Sequence, residues 1–287
     1  MDLPKVIPSE YVYFVRHKFS SAITTQLREK QVVAYNYVDE YHEGIQDYSE
    51  QSRGLTQSFN VFNSMMATGG LVVIDYENPV QFTIARLIPN QLLKKIILSR
   101  EVGDGVYKAL ETIDPKTFFY SKYPLMAAVR PMMSTACSTG RTFSQLARHL
   151  YLGEAIEYGV DFMHPSSVEL MVETFLRSDL VSDSIRLDYT LLRTGKTMPF
   201  VDIYGRSLTG QKVFAQVTNQ SAPDEKVKGF VDFVSGNGVS ILFSRDLENQ
   251  HPGLDHHFCL DDIFKILWEH PTGKYQCFLK ELSGVES

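Results

Sequence analysis

Short apolar runs broken by turn-forming residues dominate the first third of the chain. Positions 11–15 are aromatic or β-branched, side chains that suit a pleated, half-buried strand. Ser20 and Ser21 can cap a helix running to Leu27, and positions 31–35 read as a second strand. A polar stretch from 39 to 52 interrupts the pattern. The apolar runs 71–76 and 82–88 then flank an Asn78-Pro79 turn and predict a hairpin. Residues 1–90 are therefore expected to form a small, mostly β module.

The period changes after Pro89. Leu92, Leu93, Ile96 and Ile97, and later Phe143, Leu146 and Leu150, recur at about 3.6 residues, so residues 91–162 are expected to be a helical connector. From 163 to 287 the pattern predicts a helix over 166–180, strands over 185–192, around 200–204 and over 212–218, a helix over 225–234, a strand over 238–243 and an apolar helix over 260–268. A helix, a hairpin and a parallel β-α-β return make an α/β domain with a mixed sheet flanked by helices, α+β for the chain as a whole.

Composition narrows the function classes. At 287 residues with 44% hydrophobic and 22% charged positions, the chain can bury two cores and is not disordered. The formal charge of -6 excludes a global basic field. Three widely spaced cysteines, Cys137, Cys259 and Cys277, form neither a disulfide framework nor a CxxC zinc motif. The first residues carry no apolar leader and no stretch is long enough to span a bilayer, which gives a cytoplasmic expectation with no membrane partner.

The densest polar signal lies between Thr197 and Thr218. Asp202 interrupts an apolar strand, residues 205–210 supply a turn, and on the returning strand Lys212, Phe214, Gln216 and Thr218 share one face. Asp202 can then face Gln216 across the hairpin. A carboxylate beside an amide oxygen, with a further carboxylate nearby, offers hard oxygen ligands to a divalent cation. Such a cation polarises a phosphodiester and activates water. Each residue also has a plainer reading: Asp202 as an acceptor in the turn, Gln216 and Thr218 as structural polar groups, and Glu169 as the partner of Ser166 in a capping box, with Glu173 one turn further along the same face.

The run Asp202-Ile-Tyr-Gly-Arg, the Gly210 turn and Lys212-Val-Phe-Ala-Gln-Val-Thr218, preceded by residues 164–176, resembles the nuclease domain of Mrr-type restriction endonucleases, of the PD-(D/E)xK superfamily. The resemblance covers residues 163–268. It implies a metal site, Mg²⁺ or Mn²⁺, built from a helix glutamate matched by Glu169 and a strand aspartate matched by Asp202, with Gln216 at the start of a Gln-x-Lys ending. Thr218 stands where that family has its lysine. A hydroxyl cannot supply the charge that an ammonium gives to the attacking water, so Lys212 or Lys196 is the expected replacement. The strand order of residues 1–90 is similar to PUA-like or EVE-like modules, which implies recognition of a modified base.

Arg193, Lys196, Arg206, Lys212, Lys226 and Lys228 outnumber the acids between 193 and 228 by three, a local basic excess suited to phosphate contact. The expected DNA contacts are Arg193, Arg206, Lys226 and Lys228. These features together predict a DNA-binding endonuclease of restriction or defence type, working as a homodimer if both strands are cut. The alternative is an inactive nuclease fold that binds or senses DNA. His251, His256, His257, Cys259 and Asp261 are metal-capable, but adjacent strand histidines point to opposite faces and the Pro252-Gly253 turn breaks regular geometry, so a surface loop is expected there. A Ser/Thr-rich loop around Cys137 is expected to cap the helix from Phe143.

Overall fold

The computed structural model describes residues 11–35, 53–76, 80–99, 103–131, 136–191, 200–219, 224–245 and 252–283. The chain divides into two compact units, Met1–Ile156 and Glu157–Val285. Among the described residues no helix is long and apolar enough to cross a membrane.

The N-terminal unit runs β1 (Val12–Arg16), α1 (Ser21–Glu29), β2 (Val32–Tyr35), α2 (Arg53–Thr68), β3 (Gly70–Asp75), β4 (Gln81–Leu87), β5 (Lys94–Ser99), β6 (Asp104–Phe119), α3 (Pro124–Ala128), β7 (Ala136–Ser138) and α4 (Arg141–Leu152). Its sheet has the order β2-β6-β4-β3-β1-β7, with β5 also pairing with β6. Alternation along the strands separates two cores. Tyr13, Val15, Val72 and Ile74 pack with residues of α1 and α2, whereas Val12, Phe14, Leu71 and Val73 pack with residues of α4. Burial on both faces is why β1 and β3 read as unbroken apolar runs rather than as alternating ones.

Three expectations for this half are corrected. Residues 91–162 are not a helical connector, because β5, β6 and β7 all belong to the N-terminal sheet and only the Phe143 region is helical, as α4. The Leu92–Ile97 spacing fits a helix, but it is too short a run to tell helix from strand, and pairing of β5 with residues 104–109 of β6 decides it. The 16-residue β6 pairs with β2 and β5 through its first half and with β4 through its second, and the register shift between Ile84 and Arg86 falls opposite Asp114, whose φ is +49°. Such a bulge bends a strand and re-aims it. Second, α2 was not expected, although Phe59, Phe62, Met65 and Met66 sit at helical spacing and are buried. Third, the N-cap of α4 is Gly140 with no side-chain cap; Thr139 instead bonds Ser144 and the Val12 carbonyl. The expected Asn78-Pro79 turn and the polar stretch 39–52 lie outside the described residues.

The C-terminal unit contains α5 (Pro165–Leu176), β8 (Leu187–Thr190), β9 (Ile203–Ser207), β10 (Lys212–Val217), α6 (Asp224–Val234), β11 (Val239–Ser244), β12 (His256–Cys259), α7 (Leu260–Trp268) and α8 (Lys274–Leu282). The sheet order is β12-β11-β10-β9-β8. The β9 strand is antiparallel to both β8 and β10, and β10, β11 and β12 run parallel. This is the mixed α/β arrangement that the pattern predicts. One face of the sheet (Val213, Ala215, Ile241, Phe243) packs with residues of α5, α7 and α8; on the other, Phe214 packs with Phe230 and Val234 of α6. Two local expectations fail here. The segment before α7 is a strand, β12, paired with β11, so His256 and His257 leave opposite faces of the sheet. The cap of α5 is His164, whose ring accepts from the Ser166 N–H, with Pro165 as the first helical residue; Ser166 and Glu169 therefore form no capping box.

His17, just past β1, is fully buried between Phe19 and Tyr76, at ring-centroid distances of 5.6 and 5.4 Å. Neither ring nitrogen has a hydrogen-bond partner among the described residues, and burial pushes its pKa down from 6.5 to about 3. In that range the unfolded chain binds a proton that the folded chain refuses. Stability from this site is thus complete above pH 6.5 and is lost as the pH falls toward 3, by about 1.4 kcal/mol per pH unit. Urea unfolding followed by circular dichroism between pH 7 and 4 should show this slope in the wild type and lose it in His17→Phe, which keeps the ring stack.

Candidate active site

Asp202 lies immediately before β9, and its place follows from the hairpin register. Ala215 pairs with Ile203 and Phe214 with Tyr204, so the next residue along β10, Gln216, falls opposite Asp202. The Asp202 N–H donates to the Ala215 carbonyl at 2.9 Å. Its Oδ2 accepts from Gln216 Nε2 at 2.7 Å and from the Val217 N–H at 2.8 Å. Hydrogen bonds to a carboxylate are about twice as strong as neutral ones, so this pair fixes the side chain firmly. Both bonds fall on one oxygen, which leaves Oδ1 for another partner. Gln216 is 4% exposed, and its Oε1 has no hydrogen-bond partner among the described residues.

A cavity of about 220 Å³ opens beside Asp202, lined also by Glu173 and Arg177 from the end of α5, by Thr190 from β8, and by Leu191, Ile203 and Tyr204. The apolar face of α5, including Met171, Val172, Phe175 and Leu176, is buried, and Glu173 flanks it one turn before Arg177. Thr190 Oγ1 donates to Glu173 Oε1 at 2.6 Å and accepts from Arg177 Nη2 at 2.6 Å; Nη2 also lies 3.2 Å from Glu173 Oε1. Here too a single carboxylate oxygen carries both contacts.

Two glycines shape the surroundings. A Cβ on Gly205 would lie 2.4 Å from the Tyr189 carbonyl, beside the register shift between Leu187 and Tyr189 that leads to Thr190. A Cβ on Gly229 of α6 would lie 3.0 Å from the Phe200 ring, and Phe200 itself has φ +70° two residues before Asp202. A left-handed aromatic residue is strained, and such strain persists only where the surroundings over-determine it.

The structure joins Asp202 to Gln216, as the hairpin pattern anticipates, but Asp202 takes no bonds from the turn, because residues 203–207 are strand β9. Glu169 lies one helical turn before Glu173, is half-buried and does not line the cavity; Glu173, the fallback acid, does. Thr218 follows β10, its N–H bonded to the Phe243 carbonyl. Lys212 stands at the other end of β10, opposite Arg206 and about 13 Å from Gln216 at the usual rise per strand residue. It is therefore not brought to the site. Arg206 is exposed and donates to the Gly210 carbonyl; Lys226 and Lys228 lie on α6. Arg193 and Lys196 lie outside the described residues. Sequence reading missed Arg177 and Thr190, of which only the i, i+4 spacing of Glu173 and Arg177 left a signal.

Among the described residues no group of three His, Cys, Asp or Glu side chains could hold a metal ion. The donors that line the cavity are of another kind: two carboxylates, of Asp202 and Glu173, each with one oxygen committed. Oxygen-only donors of this type suit Mg²⁺ or Mn²⁺. Charge agrees, since Asp202, Glu173 and Arg177 leave the cavity with a net negative charge.

No protein-family model matches the chain, and no curated protein matches it. Among solved structures, the one described as EndoMS in apo form is similar, with 11% identity over 89% of this chain and 96% of that one and a TM-score of 0.22. An overlap of that quality carries no conclusion about activity, and the functional reading rests on the geometry above.

Replacing Gln216 by Leu tests whether the amide is structural. The lost bond to Asp202, ~1.5–3 kcal/mol, and the removed orphan oxygen, ~1–3 kcal/mol, nearly offset. The urea midpoint reported by the chain's single tryptophan, Trp268, is expected to stay close to wild type. A collapse of that midpoint would assign Gln216 to the fold alone.

Proposed function

We propose that the protein is a DNA endonuclease of restriction type that hydrolyses phosphodiesters with a divalent metal, Mg²⁺ or Mn²⁺. The observation that supports this most is the Asp202 carboxylate, pinned by Gln216 and Val217 beside a cavity that Glu173 also lines. The helix-strand-hairpin-helix-strand order of the C-terminal unit agrees with the resemblance in residues 163–268. Asp202 and Glu173 would hold the ion. A bound ion of this kind supplies Lewis-acid polarisation of the phosphate and a water of lowered pKa. Gln216 and the Val217 N–H orient Asp202, and Thr190 orients Glu173, so neither acid has to reorganise when the charge develops.

Residues 157–287 contain 12 Lys and Arg against 19 Asp and Glu, so the basic excess between 193 and 228 sits in an acidic unit. Affinity of this unit for DNA is therefore expected to depend on divalent ions. The wider reading is a cytoplasmic defence protein whose N-terminal unit selects modified DNA and whose active form is a homodimer, since cutting both strands calls for two sites. A second reading, an inactive nuclease fold that senses DNA, is favoured by one observation: Thr218 stands where the resembled family has its lysine, and among the described residues no lysine lines the cavity.

The test is incubation with plain and base-modified plasmid, with Mg²⁺, Mn²⁺, Ca²⁺ or EDTA, alongside Asp202→Ala and Glu173→Ala. Cutting is expected only with Mg²⁺ or Mn²⁺, and each variant should lose at least roughly a hundredfold in rate. Linear rather than nicked product would report paired sites. Salt-sensitive binding without any cutting would establish the sensor, and cutting that survives Asp202→Ala would refute the site.

A further inference from the structure

We propose that Arg177 supplies the positive charge at the scissile phosphate that Thr218 cannot. The inference rests on the nuclease reading above and deepens it. Among the described residues lining the cavity, Arg177 is the one cation. Of the two replacements expected from sequence, Lys212 stands at the far end of its strand and Lys196 lies outside the described residues.

The geometry of Arg177 suits the role. It is the C-cap residue of α5, one turn beyond Glu173, so its backbone is fixed by the helix that places the metal-binding acid. Its described contacts, to Glu173 Oε1 and Thr190 Oγ1, both use Nη2. A guanidinium carries five N–H donors in a rigid planar fork, so those on Nη1 and Nε stay available to an anion. The side chain is 47% exposed, open enough for a phosphate to reach. The Thr190 hydroxyl, held between Glu173 and Arg177, fixes the plane of the fork before any substrate arrives.

The chemistry limits what Arg177 does. Its guanidinium stays protonated at any working pH, so it stabilises charge and does not activate water. In the hydrolysis, the water oxygen bonds to phosphorus and the bond from phosphorus to the leaving sugar oxygen breaks. One proton of the attacking water passes to solvent, and the leaving oxygen takes one up. The non-bridging oxygens gain charge as the new bond forms, and a forked donor there is worth more in the transition state than in the ground state.

The experiment compares wild type, Arg177→Ala, Arg177→Lys and Asp202→Ala as full chains. Plasmid cutting is measured in Mg²⁺ and duplex binding by fluorescence anisotropy in Ca²⁺. Arg177→Ala is expected to cut roughly 10²–10³-fold more slowly while binding changes within about threefold. Millimolar guanidinium should restore part of its rate and none of that of Asp202→Ala, and Arg177→Lys should fall between wild type and Arg177→Ala. If Arg177→Ala cuts like wild type while Asp202→Ala is dead, the assignment of Arg177 falls and the nuclease reading stands. If guanidinium restores nothing and Arg177→Lys is as slow as Arg177→Ala, Arg177 merely holds Glu173 and Thr190, which also overturns the proposal. If wild type does not cut, both fall together.

Discussion

The pairing of β9 with β10 decides where the chemistry can be. Antiparallel register sets Asp202 opposite Gln216, and the two bonds to Asp202 Oδ2 fix that carboxylate at 2.7 and 2.8 Å from its donors. A slip of one residue would turn every side chain of β10 to the other face. Gln216 would leave the side it shares with Phe214, and Val213 and Ala215 would lose the core they share with α5 and α7. The apolar alternation of β10 therefore enforces the polar geometry, and the same burial makes the orphan amide oxygen costly: an unpaired buried acceptor costs ~1–3 kcal/mol.

The second wall of the cavity depends on a different interaction. Phe175 of α5 is nearly fully buried and meets Phe243 and Phe258 edge-on, at 6.4 and 5.7 Å between ring centroids. Aromatic pairs of this geometry are worth ~0.5–1.5 kcal/mol beyond their area. Because the contact locks the rotation of α5, it also sets the direction in which Glu173 and Arg177 project. The third wall, Thr190, reaches Glu173 because Gly205 lets β8 approach without a Cβ in the way. An apolar interface, a missing side chain and a strand register thus bring together residues separated by up to 43 positions (Glu173 to Gln216).

The strands and helices of the C-terminal half were legible because their period is clear and their runs are bounded by turn residues: 212–218 became β10, and 260–268 matched α7 at both ends. The link between Asp202 and Gln216 was legible for the same reason, since two-residue periodicity places one opposite the other once the turn is known. What was not legible depended on contacts remote in sequence. Leu92, Leu93, Ile96 and Ile97 spell a helix until β6, which begins at Asp104, offers Ile96 and Ile97 a strand partner. Whether Glu169 or Glu173 lines the cavity turns on the rotation of α5, which the sequence leaves open and which the packing of Phe175 sets. Arg177 was invisible as a site residue because an i, i+4 acid-base pair looks like ordinary helix surface.

On the proposed reading, the charge balance of the cavity favours a single fixed cation beside its two acids. Two carboxylates and one guanidinium leave a net negative site, so a divalent cation is drawn in, and with the cation present the site turns positive toward an anionic phosphodiester. A second cation at the cavity, added to Arg177, would bring it to neutrality before any metal arrived and would weaken its hold on an ion. One fixed cation is compatible with two metal-binding acids; two would cancel them. The guanidinium suits this position better than an ammonium would, because it is ion-paired to Glu173 through one nitrogen and still presents the rest of its fork.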